Sequence, residues 1–129
     1  MDIPTEVLEK EYGFRASKDA ITTGEKYEKT KDYTEARRHW QALADKGDDY
    51  ALVRLGRIYE TGRGINSDSL KASHFYRLAA QLGNSMAQFN LGRMFALDDT
   101  LGRNKIKSTF WYLHAAINGH LPAAHAVAK

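Results

Sequence analysis

Five histidines are the residues best suited to metal binding or acid–base chemistry in this chain of 129 residues, which contains no cysteine. A helical zinc site needs two histidines on one helix face, four residues apart, and no two histidines of this chain have that spacing. The lack of cysteine excludes disulfides, thiolate zinc sites and thiol nucleophiles. The sequence therefore predicts neither a metal site nor a cofactor. The histidines are His39, His74, His114, His120 and His125.

Catalytic motifs are also missing from the sequence. It contains no Gly-x-Ser-x-Gly nucleophile elbow and no phosphate-binding P-loop. The adjacent carboxylates Asp48-Asp49 and Asp98-Asp99 fall in predicted loops. Solvation in a loop keeps a carboxylate ionised and makes it a poor general acid. We therefore predict that the chain is not an enzyme, and keep enzymatic activity only as an alternative.

The composition is that of one globular domain, with 43% hydrophobic and 27% charged residues. No apolar run approaches the roughly 20 residues that cross a bilayer, and the N-terminus lacks the profile of a signal peptide. These features predict a cytoplasmic protein without a membrane partner, or a periplasmic one if a signal sequence was removed. The net charge of +3 arises from positive and negative residues that are interspersed along the chain, so it does not indicate nucleic-acid binding.

Helices must position whatever site the chain has, because it contains 17 alanines and two prolines. Small and aromatic residues recur at intervals of 36 residues, which is the pattern of a helical repeat. The segment Leu55–Arg57 aligns in this way with Leu91–Arg93. Three further columns of the repeat are Ala44, Ala80 and Ala116; Gly47, Gly83 and Gly119; and Trp40, Tyr76 and Tyr112.

Each repeat is predicted to form two helices. Helix A runs from about Tyr50 to Thr61 and helix B from about Ser69 to Leu82, each with an apolar face. Gly83 follows helix B where a left-handed residue ends a helix. A glycine inside a helix costs about 1 kcal/mol relative to alanine. We therefore expect Gly56 and Gly92 to mark close approaches between helices.

The repeat resembles the Sel1-like family, whose members are solenoids of paired antiparallel helices related to tetratricopeptide repeats. The resemblance implies an all-α solenoid of about three units, at 15–49, 50–85 and 86–121, with a terminal helix at 122–129. Residues 1–14 are predicted to form an N-terminal arm or cap outside this single repeat domain, 15–129. The loop at 98–101 departs from the family pattern and is expected to turn differently. The matching residues are Ala51–Ile65, Asp68, Lys71-Ala72, Phe75-Tyr76, Ala79-Ala80 and Gly83-Asn84.

The resemblance also implies that helix A residues line a concave groove. Aromatic, methionine and arginine side chains are common at interface hot spots, so this groove is the predicted partner site. Two alternatives stay open. The apolar members could be ordinary contacts between helices. Arg57 and Arg93 could belong to a solvated face, or could pair inside the chain with Glu60 or Glu28. The predicted partner-binding residues are Tyr50, Val53, Arg57, Glu60, Met86, Phe89, Arg93 and Leu97.

The predicted function is that of a non-catalytic adaptor or scaffold that binds a partner protein or peptide in this groove. The resemblance also allows an immunity protein that neutralises a bacterial toxin. Self-association through the alanine-rich segment Ala123–Lys129 is a third possibility. RNA binding is disfavoured, because the column that would read bases holds Val53, Phe89 and His125.

Overall fold

The structure, a computed structural model, describes Pro4, Glu6, Val7 and residues 13–128, without the side chains of residues 125, 127 and 128. Its regular structure within those residues is helical, which confirms the all-α prediction. Most of the predicted arm at 1–14 lies outside the described residues. Between residues 13 and 128, seven α-helices follow one another: α1 Lys18–Lys29, α2 Tyr33–Asp45, α3 Asp49–Thr61, α4 Ser69–Gln81, α5 Ser85–Leu97, α6 Lys105–Ile117 and α7 Leu121–Ala128.

Short connections turn successive helices back on one another, and each helix packs against its neighbours in the chain. The chain thus stacks helix pairs as a solenoid, with α1, α3 and α5 as the A helices and α2, α4 and α6 as the B helices. The A–B connection of the third unit does differ from that of the second. It contains a 3₁₀ turn at Asp99–Leu101, whereas the connection of the second unit begins at the left-handed Gly62.

The glycine column and the aromatic column pack against each other. A methyl group on Gly56 would lie 2.5 Å from Cε1 of Tyr76, and one on Gly92 would lie 2.6 Å from Cδ1 of Tyr112. Gly24 faces the ring of Trp40 in the same way. The close approach predicted for these glycines is therefore an aromatic ring laid over the bare backbone of the preceding helix.

The alanine columns fill the core between these contacts. Ala51, Ala72 and Ala87 are fully buried beside large side chains such as Leu55 and Leu91. Close-packed alanines at the crossings allow adjacent helix pairs to nest. Most of the core lies in the second repeat and in the first helix of the third. The A helices α3 and α5 therefore pack against the core through their buried faces.

Candidate functional site

An open cavity of about 590 Å³ lies between α3 and α5 and is called the central groove here. It brings together five of the eight predicted partner-binding residues, from two successive repeats. Because α3 and α5 both pack into the core, the positions of these side chains are set by the helix framework. The groove is lined by Arg57, Glu60, Thr61, Tyr76, Met86, Phe89, Asn90, Arg93 and His120.

Glu60 organises one wall of the central groove. Arg93 Nη2 lies 2.8 Å from Oε1 and 2.7 Å from Oε2 of this carboxylate, which joins the second repeat to the third. The Tyr76 hydroxyl also donates to Glu60 Oε1, at 2.9 Å. Burial of the hydroxyl and the nearby Glu60 charge both raise the pKa of Tyr76 well above its ordinary value. Arg93 is therefore an internal ion-pair partner, as the sequence allowed.

Phe89 and Met86 form the apolar floor of the groove. The Phe89 ring packs against the rings of His120, at 4.7 Å between centroids, and Tyr112, at 5.5 Å. Met86 is 46% exposed and presents its flexible thioether side chain to solvent. The His120 Nε2 atom is buried and has no hydrogen-bond partner among the described residues. The floor thus combines apolar area with an unsatisfied polar atom.

Arg57 differs from Arg93 although the two occupy the same column of the repeat. Its side chain is exposed on the groove, and no carboxylate of the described residues lies within ion-pair distance of it. A guanidinium presents five donors that suit carboxylate or carbonyl oxygens. Arg57 is therefore the cation of the groove that is available to a ligand.

Three of the predicted residues lie outside the central groove. Val53 is 3% exposed and belongs to the hydrophobic core, so the prediction that it lines the groove is wrong. Leu97 is largely exposed at the end of α5 and does not line the cavity. Tyr50 packs on Trp40, and its hydroxyl donates to Glu25 at 3.3 Å.

A second cavity of about 540 Å³, called the first groove here, lies between α1 and α3. Arg54 is paired in this groove, because it lies 3.5 Å from Glu28 and 4.0 Å from Glu25, whereas Lys26, Lys29 and Arg63 have no ion-pair partner among the described residues. A guanidinium held by two carboxylates has little capacity left for an acidic ligand. The first groove is lined by Thr22, Glu25, Lys26, Glu28, Lys29, Arg54 and Arg63.

Four residues that line the central groove, Thr61, Tyr76, Asn90 and His120, are not among the predicted partner-binding residues. Asn90 stands 36 residues after Arg54, so the two polar residues occupy the same position of the repeat. This recurrence could have predicted that Asn90 faces the groove. The repeat position of Tyr76, which it shares with Trp40 and Tyr112, predicts a core residue. Only its hydroxyl reaches the groove. His120 lies in a connection after α6, where the periodicity of a helix carries no information about direction.

The Sel1 repeat family model matches three successive segments of the chain, at residues 17–48, 49–84 and 85–120. These segments contain the three A helices, the three B helices and all the residues that line the central groove. The chain belongs to the Sel1 repeat family. Proteins of this family are generally protein-interaction scaffolds. No curated protein matches this Sel1 repeat chain.

Solved structures of bacterial proteins share the fold of this Sel1 repeat chain. A Sel1 repeat protein from Oxalobacter formigenes is 28% identical, with a TM-score of 0.77 over 82% of this chain and 44% of its own. A protective antigen of uropathogenic Escherichia coli with an SLR fold is 30% identical, with a TM-score of 0.71 over 74% of this chain and 21% of its own. The chain thus spans less than half the length of these two proteins.

Helicobacter pylori cysteine rich protein B shares the fold alone, at 17% identity. Its TM-score is 0.71, and the match covers 84% of this Sel1 repeat chain and 92% of that protein. The agreement at such low identity shows that the helix framework tolerates wide change in its side chains. In the part of the chain that the structure describes, no helix is long and apolar enough to cross a membrane.

Proposed function

We propose that this chain is a non-catalytic interaction module that binds a partner protein or peptide across the central groove. The observation that carries the proposal is the contrast between the two groove arginines. Glu60 neutralises Arg93, whereas Arg57 stands exposed beside the apolar floor of Met86 and Phe89. A cation beside exposed apolar area is a combination typical of interface hot spots.

The groove chemistry suggests how a partner is recognised. An apolar side chain of the partner packs on Met86 and Phe89, where its burial supplies most of the binding energy. A carboxylate or carbonyl oxygen accepts from Arg57. The Asn90 amide provides hydrogen bonds that fix the orientation of the partner.

Variants of exposed groove residues test this proposal best. Phe89 and Arg93 are poor choices, because both hold other parts of the protein in place. Arg57→Glu and Met86→Asp change exposed side chains and are expected to leave helix content and unfolding unchanged. Each should weaken partner binding by at least about tenfold, as the loss of a hot-spot residue does.

The measurement is a quantitative pull-down from the source cell with the wild-type chain and the variants in parallel. Arg38→Glu serves as the control, since it makes the same charge change at an exposed arginine on α2 outside the groove. A partner retained by this control but lost with Arg57→Glu and Met86→Asp supports the proposal. Recovery of no partner above background, or equal recovery with all variants, contradicts it.

Affinity separates an adaptor from an immunity protein. An immunity protein that neutralises a toxin should bind one partner at nanomolar strength or tighter, and an adaptor more weakly and with several partners. Self-association through the terminal helix remains a separate proposal, which light scattering at high protein concentration tests.

A further inference from the structure

Helix α6 carries a row of apolar side chains that faces away from the core. Ile106 is 83% exposed, Phe110 50%, Leu113 44% and Ile117 79%. Their spacing of four, three and four residues places them on one line along the helix, opposite the buried face. Such spacing is that of a seam on which a second helix packs. This row is called the α6 stripe.

Further repeats stacked on the solenoid would not cover the α6 stripe. The equivalent positions in α4 are exposed, although α4 has a helix pair on either side. Those positions therefore face outward wherever a repeat stands in the stack. They are Leu70, His74, Arg77 and Gln81 in α4, and Thr34, Arg38, Gln41 and Asp45 in α2. Only in the third repeat are all four columns apolar.

A recess of about 390 Å³ lies beside the stripe, between α4 and α6. Its walls are the rings of Phe95, Phe110 and Trp111, and two cations, Arg77 and Lys107, stand over it. Lys107 Nζ lies 5.4 Å from the centre of the Phe95 ring. Neither cation is within ion-pair distance of a carboxylate among the described residues. The recess thus offers apolar walls and unneutralised positive charge to one inserted side chain.

The surroundings of the stripe are basic. Between Ser69 and Lys129 the only acidic residues in the sequence are Asp98 and Asp99, and Asp99 pairs with Arg103 at 2.6 Å. Helix α6 itself contains two lysines and no acidic residue. Pairing of this face with a second copy would bring like charges together, which is unfavourable. Charge complementarity favours an acidic occupant.

We infer that the α6 stripe docks an acidic amphipathic helix of another protein. The apolar side of that helix packs along the stripe, and one of its carboxylates enters the recess between Arg77 and Lys107. The recess favours an inserted side chain over the flat surface of a membrane. This surface shares no lining residue with the central groove, so the inference does not depend on the proposed function.

A displayed library of amphipathic helices tests the inference on the intact chain. The library keeps leucine on the apolar face and varies the flanking positions among Glu, Gln and Lys. Selection should enrich Glu at these positions. Phe110→Asp should weaken binding of the selected helices at least tenfold, and Lys107→Glu should shift the selected preference towards Lys.

Control variants separate this surface from the central groove. Met86→Asp and Arg57→Glu should leave binding of the selected helices within twofold of wild type. Ile106→Asp repeats the stripe test at a more exposed position, in case Phe110→Asp perturbs folding. Loss of binding with Met86→Asp would place the helices in the central groove and overturn the inference.

Other results would also overturn the inference. They are a lack of enrichment, enrichment without regard to flanking charge, and full binding by a folded Ile106→Asp variant. A wild-type dimer that Ile106→Asp abolishes would assign the stripe to a second copy. Sedimentation of the wild-type chain with phosphatidylglycerol vesicles, lost in Ile106→Asp and absent with phosphatidylcholine vesicles, would assign it to a lipid surface.

Discussion

Single carboxylates decide which arginine of the repeat is available to a partner. Glu60 pairs with Arg93 of the next repeat. Glu28 stands at the equivalent position of the first repeat, 32 residues earlier, because the A–B connection of that repeat is four residues shorter. Glu28 would be the partner for Arg57, but it pairs with Arg54 instead. In the third repeat the Arg54 column holds Asn90, which cannot form an ion pair. The exposed charge of Arg57 thus follows from one substitution between repeats.

The Tyr76 hydroxyl makes stability depend on pH in the alkaline range. Its pKa is raised by burial and by Glu60, from an ordinary value of 10.0. Above pH 10 the unfolded chain therefore loses this proton while the folded chain keeps it. The free energy of unfolding should then fall by about 1.4 kcal/mol per pH unit from this residue.

Urea unfolding of the wild type and of Tyr76→Phe, at neutral pH and between about pH 9 and 11, checks this dependence. The variant should be less stable at neutral pH by about 1 kcal/mol, because it lacks the hydrogen bond to Glu60. Its stability should decline less steeply above pH 10. Parallel curves for the two proteins would show that Tyr76 does not titrate differently in the folded state.

At the level of elements, the helix starts follow one chemical rule. Helices α1 to α6 each begin after a Ser, Asp or Asn. The side-chain oxygen of that residue accepts a hydrogen bond from the backbone N–H three residues later in the chain. Asp48 does more than the others, because its second oxygen accepts from Ala16 N at 2.8 Å. It therefore ties the segment before α1 to the start of α3.

Asp48→Ala should lower the free energy of unfolding by about 2 to 3 kcal/mol, since it removes a helix cap and leaves a second donor unsatisfied. Asp68→Ala is the matched control. Asp68 caps α4 from an exposed position through one hydrogen bond, at 3.0 Å, so its loss should cost about 1 kcal/mol. Urea unfolding measures both values, and equal losses would show that the bond to Ala16 contributes nothing.

For the whole molecule, burial is concentrated in the middle of the solenoid. Helix α3 contributes seven buried residues, whereas Ala123 is the buried side chain of α7 among those described. Local opening is easiest where few apolar contacts must break. Amide hydrogens of α3 and α5 should therefore exchange most slowly and those of α7 fastest. Hydrogen-exchange mass spectrometry tests this order, and equal protection of α7 and α3 would contradict it.

The sequence determined the repeat, the helix pairs and most of the central groove. Columns 36 residues apart record packing that every repeat must satisfy, so the paired Gly56 and Tyr76 columns were visible in advance. The sequence did not show which way the Val53 side chain points, because a helix can bury more than one face when another helix lies on each side. Its place in the core depends on how the neighbouring pairs stack.

Tertiary structure alone decided which charges are neutralised and which apolar residues remain outside. Arg57 and Arg93 look alike in the repeat, and they differ because Arg54 pairs with Glu28 while Asn90 leaves Glu60 to Arg93. Likewise the apolar row on α6 has the spacing of a buried face, yet Ile106 and Ile117 face solvent. Periodicity states which residues share a face, whereas the packing of neighbouring helices decides whether that face is covered.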